Sequence, residues 1–331
     1  MISSSVFTDQ ETNISYITLT NDTLSATFLN FGARWHQFIT PDKDGQQENI
    51  LLSLDTAKSI LNDKAQFGAL VGPVAGRIKN AKWEDVPLER NLGEHHIHGG
   101  SHGWWAQFWT FELLETTNSI KVIFSLTDTS SGYPGPIYVT NTYELTTSSV
   151  IMTTEVTSDK KTIINPTNHV YFNLSGNAKR DITKHQLFIK SSHFLETDEN
   201  NIPSGKLLAT KDTGYDFSHE RLIADSINEI SQGIDDAYLL ASSNPQITLS
   251  EPLSGRKLSI SSNRDAAVIF STTGFNDDSF SVNKQPMSSE LGIAIETQEL
   301  PDIINHPEWG NIELSPHEKK IFQTTYSIEL L

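Results

Sequence analysis

The chain has 331 residues, a formal charge of −17 at neutral pH and no cysteine. That charge argues against a nucleic-acid or anionic-membrane partner, because phosphate groups would be repelled. The missing cysteines exclude disulfides, thiolate metal sites and a cysteine nucleophile. The N-terminal run lacks the basic and apolar regions of a signal peptide, and no stretch approaches the ~18 apolar residues of a membrane span. A cytoplasmic location is the expectation, and a neutral ligand such as a sugar fits the charge.

Strand-like runs dominate from the start. Residues 14–19 are β-branched and aromatic, and Leu24, Ala26 and Phe28 alternate with Ser25 and Thr27. Asp42-Lys43-Asp44-Gly45 is a turn signal, and residues 56–64 suit a short helix. Ile120, Val122, Phe124 and Leu126 alternate with Lys121 and Ser125, and turn formers follow at 131–135. Val150, Met152, Thr154 and Val156 continue the pattern. A loop rich in Asp, Asn, Pro and Gly occupies 198–205, and further strands are expected at 257–261, 267–271, 292–296 and 322–329. No long amphipathic helix, repeat or linker interrupts this series. The pattern predicts an all-β fold, a large antiparallel β-sandwich with few short helices, forming a single domain over residues 1–331.

Five stretches could carry chemistry. Residues 164–176, Ile-Asn-Pro-Thr-Asn-His-Val-Tyr-Phe-Asn-Leu-Ser-Gly, read as a strand with His169, Tyr171 and Asn173 on one face and Val170, Phe172 and Leu174 on the other. The polar face could floor a ligand pocket, or His169 could be an ordinary hydrogen-bonded histidine. Around Arg77 the chain is small and apolar, so its forked donors reach either a carboxylate or a polar ligand. Between His95 and Trp105 lie His95, His96, His98 and His102 with two indoles. Their spacing matches no usual zinc pattern, so no metal is expected. Indole faces and imidazoles suit a sugar, while some of the tryptophans belong to the core. Asp235-Asp236 beside Ala237-Tyr238 could cap a turn or accept from hydroxyls. Finally, Glu296 alternates with Ile293 and Ile295 and shares its face with Gly292 and Ala294, an arrangement that leaves room above a carboxylate. A general base needs such a place; an ion pair, with Arg77 for instance, is the other reading.

Together these stretches resemble the aldose 1-epimerases, also called galactose mutarotases. Asn165-Pro166-Thr167-Asn168-His169-Val170-Tyr171-Phe172-Asn173-Leu174 is similar to the family's Asn-Leu-Thr-Asn-His-x-Tyr-Phe-Asn-Leu. Ile97-His98-Gly99-Gly100, Ala75-Gly76-Arg77-Ile78 and Ile295-Glu296-Thr297-Gln298 followed by Pro301-Asp302 match other motifs in family order. Pro73, Pro166 and Asn276 depart from it, standing where the family usually has Arg, Leu and Gln. The resemblance implies a β-supersandwich that interconverts the α and β anomers of a free aldohexose such as galactose or glucose without a cofactor. It implies Glu296 as base, His169 as acid, Arg77 and His98 as sugar-holding groups and Asp235 as an acceptor from hydroxyls. A sugar would be the small-molecule partner of a monomer or homodimer. A hexose-6-phosphate epimerase and a non-catalytic sugar-binding protein remain open at this stage.

Overall fold

A computed structural model of the chain describes residues 2–117 and 119–331. The alternation along the sequence becomes three main sheets, all with antiparallel neighbours. A five-stranded meander runs Ser3–Thr8, Ser15–Thr20, Ser25–Leu29, Arg34–Pro41 and Gln47–Asn49. The largest sheet has nine strands and centres on Ile137–Leu145, Ser149–Ser158, Lys319–Leu330 and Arg256–Ser262. The third has six strands, in the order Tyr171–Phe172, Ile293–Gln298, Ala266–Ser271, Asp235–Leu239, His193–Thr197, Pro203–Ala209. The expected all-β class and antiparallel sandwich are thus found, with α-helices at Ala57–Leu61 and Ile223–Ile230 among the described residues.

One continuous apolar core draws on all three sheets. Trp35 stacks edge-on against Tyr326 at 5.2 Å and Phe172 at 6.3 Å between ring centres, so one indole ties the meander to both larger sheets. Burying aromatics of this size contributes about 1.5–3 kcal/mol each. Thr56 caps the short first helix by accepting from the Ser59 N–H, which places the helix start as the sequence suggests. The second helix, Ile223–Ile230, buries Ile223 and packs Ile227 and Ile230 on the core.

The 164–176 stretch departs from the expected single strand. Thr167–Asn168 pairs with Leu70–Val71, while Tyr171–Phe172 pairs with Ile293 and Ala294 of the six-stranded sheet. His169 sits at the change-over, its N–H on the Ala69 carbonyl and its own carbonyl accepting from Gly68. The chain leaves one sheet for another there because each short pair satisfies its backbone with a different partner.

Candidate active site

The central strand Ile293–Gln298 organises the site. Ile293 and Ile295 face the common core, and Thr297 hydrogen-bonds Thr324 of the large sheet at 2.7 Å. Period-two geometry turns Glu296 and Gln298 to the other side. Both line a cleft of about 470 Å³, together with Arg77, His98, Trp105, His169, Tyr171 and Asp235. All five predicted site residues, Arg77, His98, His169, Asp235 and Glu296, therefore converge on one cavity from segments far apart in the chain.

The room beside Glu296 is not where the sequence suggests. A side chain on Gly292 would meet Leu52 at 2.5 Å, and Ala294 is packed in a second apolar cluster with Tyr171 and Leu52. Those small residues admit neighbouring side chains, and the open space lies instead toward Gln298. Asn173 is also absent from the cleft: its amide donates to the Arg180 and Leu291 carbonyls, a structural duty.

Glu296 and His169 form the floor. Glu296 Oε1 lies 3.4 Å from His169 Nε2, and both residues are almost fully buried. Glu296 Oε2 and His169 Nδ1 have no protein partner. Burial pushes the Glu296 carboxyl up to about 8; the negative charge of Asp235 adds to this, and Arg77 only partly offsets it. Burial pulls the His169 imidazole down to about 4. Each charged form is disfavoured, so at rest the pair holds its proton on Glu296 and leaves His169 neutral. This reverses the resting charges that unperturbed side chains would have at pH 7, an ionised Glu and a partly protonated His.

His98 stands beside them, its ring 5.5 Å from that of His169 and nearly perpendicular to it. Its Nδ1 accepts from the Gly76 N–H at 3.2 Å. The neutral ring therefore carries its proton on Nε2, as a donor. Burial, with the neighbouring His169 and Arg77, keeps His98 well below the usual histidine range. Its backbone has φ 55°, followed by Gly99 and Gly100 at 77° and 81°. A Cβ at Gly99 would fall 2.0 Å from the Gly72 carbonyl oxygen, so the His-Gly-Gly order is a steric demand.

The four clustered histidines have separate tasks. His95 accepts from the Asn80 N–H, His96 bridges the Glu89 carbonyl and the Tyr133 hydroxyl, His98 enters the cleft, and His102 is exposed. Among the described residues no group of three or more His, Cys, Asp or Glu is placed to hold a metal. Of the indoles, Trp104 and Trp109 are core, while Trp105 forms a cleft wall with Lys64 Nζ 5.8 Å from its ring centre.

Arg77 and Asp235 pair at 3.2 Å, partly exposed at the cleft side, and Asn201 donates to the same Asp235 oxygen at 3.1 Å. The Arg77 partner is thus Asp235, and Glu296 is left without a cation in contact. Asp235 and Asp236 open the strand Asp235–Leu239 rather than capping a turn; Asp235 enters the cleft, and burial raises Asp236 to about 7.

The family model described as aldose 1-epimerase matches residues 15–327. The chain belongs to the aldose 1-epimerase family. It is 31% identical to the aldose 1-epimerase of Streptococcus thermophilus, over 91% of this chain and 90% of that one. It is 29% identical to the maltose epimerase of Levilactobacillus brevis, over 92% of each. The crystal structure of galactose 1-epimerase from Lactobacillus acidophilus superposes with a TM-score of 0.88 at 27% identity, covering 100% of this chain and 99% of the other. The protein is accordingly an isomerase of the epimerase type.

Members of the cavity that the sequence reading passed over are Gln298, Asn201, Phe270 and Lys64. Gln298 was legible by parity, two residues beyond Glu296 on the same strand face. It is fully buried, and neither its Oε1 nor its Nε2 has a partner. Asn201 carries no such signal: its turn is closed locally on Asp198, and only the meeting of its amide with the distant Asp235 carboxylate brings it to the cleft. Of the departures from the family motifs, Pro73 and Pro166 lie outside the cleft lining, and so does Asn276, which borders a neighbouring cleft.

Proposed function

We propose that the protein interconverts the α and β anomers of free aldohexoses, galactose and glucose first among them, with Glu296 and His169 as the proton-transfer pair. The observation that carries this reading is their burial side by side, 3.4 Å apart, on the floor of a cleft lined by groups able to hydrogen-bond hydroxyls. For ring opening the proton held at rest by Glu296 first passes to His169, 3.4 Å away; Glu296 as carboxylate then takes the C1 hydroxyl proton, while His169 as imidazolium gives one to the ring oxygen. The C1–O5 bond breaks, leaving a carbonyl at C1 and a hydroxyl at C5. The pair is then in the distribution that burial favours, with the proton on Glu296 and His169 neutral. After rotation about C1–C2, His169 takes back the C5 hydroxyl proton as O5 attacks C1, and Glu296 returns its proton to the C1 oxygen. Nothing is consumed, and once the His169 proton passes back to Glu296 the enzyme is as it began.

Positioned proton transfer of this kind contributes about 10²–10⁴-fold for each group. His98, neutral with its donor on Nε2, holds a hydroxyl or the ring oxygen by hydrogen bond. Arg77 and Asp235, with Asn201, supply donors and an acceptor for further hydroxyls, and Trp105 offers an indole face to C–H groups. A phosphorylated hexose is less well served, since Arg77 is already engaged by Asp235 and the exposed Lys64 is the other cation of the lining. One similar protein is named for maltose, whose free reducing end presents the same C1 chemistry.

The test is polarimetry on freshly dissolved α-D-galactose and α-D-glucose with and without protein. Acceleration of the approach to equilibrium is expected. A rate equal to that of buffer, with binding of sugar retained, would leave a sugar-binding protein instead.

A further inference from the structure

Residues 75–78 and 301–305, far apart in the chain, meet beside the cleft. Pro301 lines the cavity and Asp302 does not. Gly76, at φ 73°, takes Pro301 so close that a Cβ there would lie 3.1 Å from the proline Cβ. Asp302 then grips the chain on both sides of Ile78. Its N–H donates to the Arg77 carbonyl at 3.0 Å, and its Oδ1 accepts from the Lys79 N–H at 2.9 Å. The same oxygen accepts from the Asn305 amide at 2.6 Å, and the Asn305 N–H donates to the Asp302 carbonyl at 2.9 Å. His306 Nε2 stands 3.8 Å from Oδ2. The Asp302 backbone has φ 58°, a left-handed conformation that Asp, Asn and Gly tolerate and most residues resist. Side-chain contacts and backbone thus demand the same residue type.

Arg77 has little else to fix it. Among the described residues its guanidinium has one hydrogen-bond partner, Asp235 Oδ2 at 3.2 Å from Nη2, and its buried Nε has none. A guanidinium so lightly held is placed mainly by the backbone that carries it. We infer that Asp302 is a positioning residue, whose clamp on residues 77–79 sets Arg77 where it meets a sugar hydroxyl. That role rests on Arg77 being a sugar-holding group, as proposed above, and extends the binding machinery to a side chain outside the cavity. The same segment frames the far end of the Arg77–Asp235 pair. The His306 ring stacks on Trp309 at 4.1 Å and leaves little room for a Cβ on Gly205, at 3.0 Å. Gly205 ends the loop that carries Asn201, the other donor to Asp235. Asp302 touches neither Glu296 nor His169, so loosening its clamp weakens the hold on sugar and spares proton transfer. Such a change appears in KM rather than in kcat.

The experiment measures KM and kcat for galactose anomerisation in Asp302→Gly, Asp302→Asn, Arg77→Met and the double variant Asp302→Gly/Arg77→Met. Glycine keeps the left-handed backbone and removes the acceptor, whereas asparagine keeps both. In Asp302→Gly KM is expected to rise about tenfold, as for one contact to a charged group, with kcat within about twofold. Asp302→Asn should stay close to wild type, and Arg77→Met should raise KM at least as much as Asp302→Gly. With Arg77 gone, Asp302→Gly should change KM less than about twofold further, because a residue that acts through another loses its effect with it. An equal rise in both backgrounds gives Asp302 a general structural duty and overturns the inference. So does an unchanged KM in Asp302→Gly beside a raised one in Arg77→Met, or a KM as high in Asp302→Asn as in Asp302→Gly. If Asp302→Gly does not fold, the exposed Asn305 takes its place: Asn305→Ala removes one donor to Oδ1. A KM rise of about threefold is then expected, and its absence overturns the clamp. Unchanged KM in Arg77→Met refutes the sugar-holding reading of Arg77 and the inference with it. A wild type without activity on galactose or glucose refutes the anomer reading itself, and both fall together.

Discussion

Arg256 and Glu296 are both all but closed to water, yet they are treated in opposite ways. Arg256 donates from Nε to the Pro41 carbonyl, from Nη1 to Leu174, and from Nη2 to Thr40, Gln46 and the Glu48 carboxylate, all between 3.1 and 3.2 Å. Arg264 is similar: it grips the Glu299 carboxylate, the Pro166 carbonyl and the Asn165 amide oxygen. Around Glu296 the polar atoms are instead left short. Glu296 Oε2, His169 Nδ1, Arg77 Nε and both amide atoms of Gln298 lack protein partners. An unmade buried hydrogen bond costs about 1–3 kcal/mol, so a concentration of them in one cavity marks where the fold gives up stability. Arg256 and Arg264 hold loops and strand ends in place; the Glu296 face keeps its hydrogen-bonding capacity for something that enters.

The contrast can be broken at either end. The largest effect is expected from Arg256→Ala, which strips five acceptors of their donor. Loss of one partner from a buried charged network costs about 3–5 kcal/mol. Urea unfolding should show it, with kcat per folded molecule unchanged; a loss below about 1 kcal/mol would mean that saturation is not what stabilises this region.

Glu296→Gln should do the reverse, lowering kcat at least about 10²-fold on the general-base magnitude while the fold persists. Its effect on stability has a definite sign. The folded carboxyl titrates near 8 and the unfolded one near 4.5, so the folded state binds the extra proton. That contribution is present below about 4.5 and lost as pH rises to about 8. The variant lacks the loss, and at pH 9 its Tm should exceed that of the wild type; a lower Tm would show that the ionised carboxylate is well satisfied after all.

For His169→Asn, kcat is expected to fall at least about tenfold and to change more than KM, as for a group used mainly in the transition state. A large rise in KM with constant kcat would make His169 a sugar holder and move the acid role to His98. The pair also sets a pH profile. One shared proton persists between the His169 value of about 4 and the Glu296 value of about 8. Turnover of galactose at low concentration should be level in that window and fall on both sides. A single inflection near 6.5 would instead identify an ordinary, solvated histidine as the titrating group.

The smallest effect is expected at Gln298. Replacing it with Met keeps the bulk and removes two unpaired amide atoms, so KM should rise about fivefold, the worth of one hydrogen bond to substrate, with kcat nearly constant. Unchanged KM would show that the sugar does not reach this part of the cleft.

Alternation along Ile120–Asp128, Ser149–Ser158 and Ile293–Gln298 was enough to foresee antiparallel β-structure, because a period of two is a property of the local chain. The motifs around Arg77, His98, His169, Asp235 and Glu296 named the residues that converge, and His-Gly-Gly announced a backbone that needs glycine. Three things lay beyond that reading. The change of sheet at His169 depends on two partners, Leu70–Val71 and Ile293–Ala294, that lie far away in sequence. The space beside Glu296 was decided by Leu52, which fills the side that Gly292 seemed to leave empty. The proton at rest on Glu296 rather than on His169 follows from burial, which no residue type carries by itself. Periodicity and motif chemistry are local and survive in the linear chain; cavities, desolvation and unmet hydrogen bonds exist only once distant segments exclude water together.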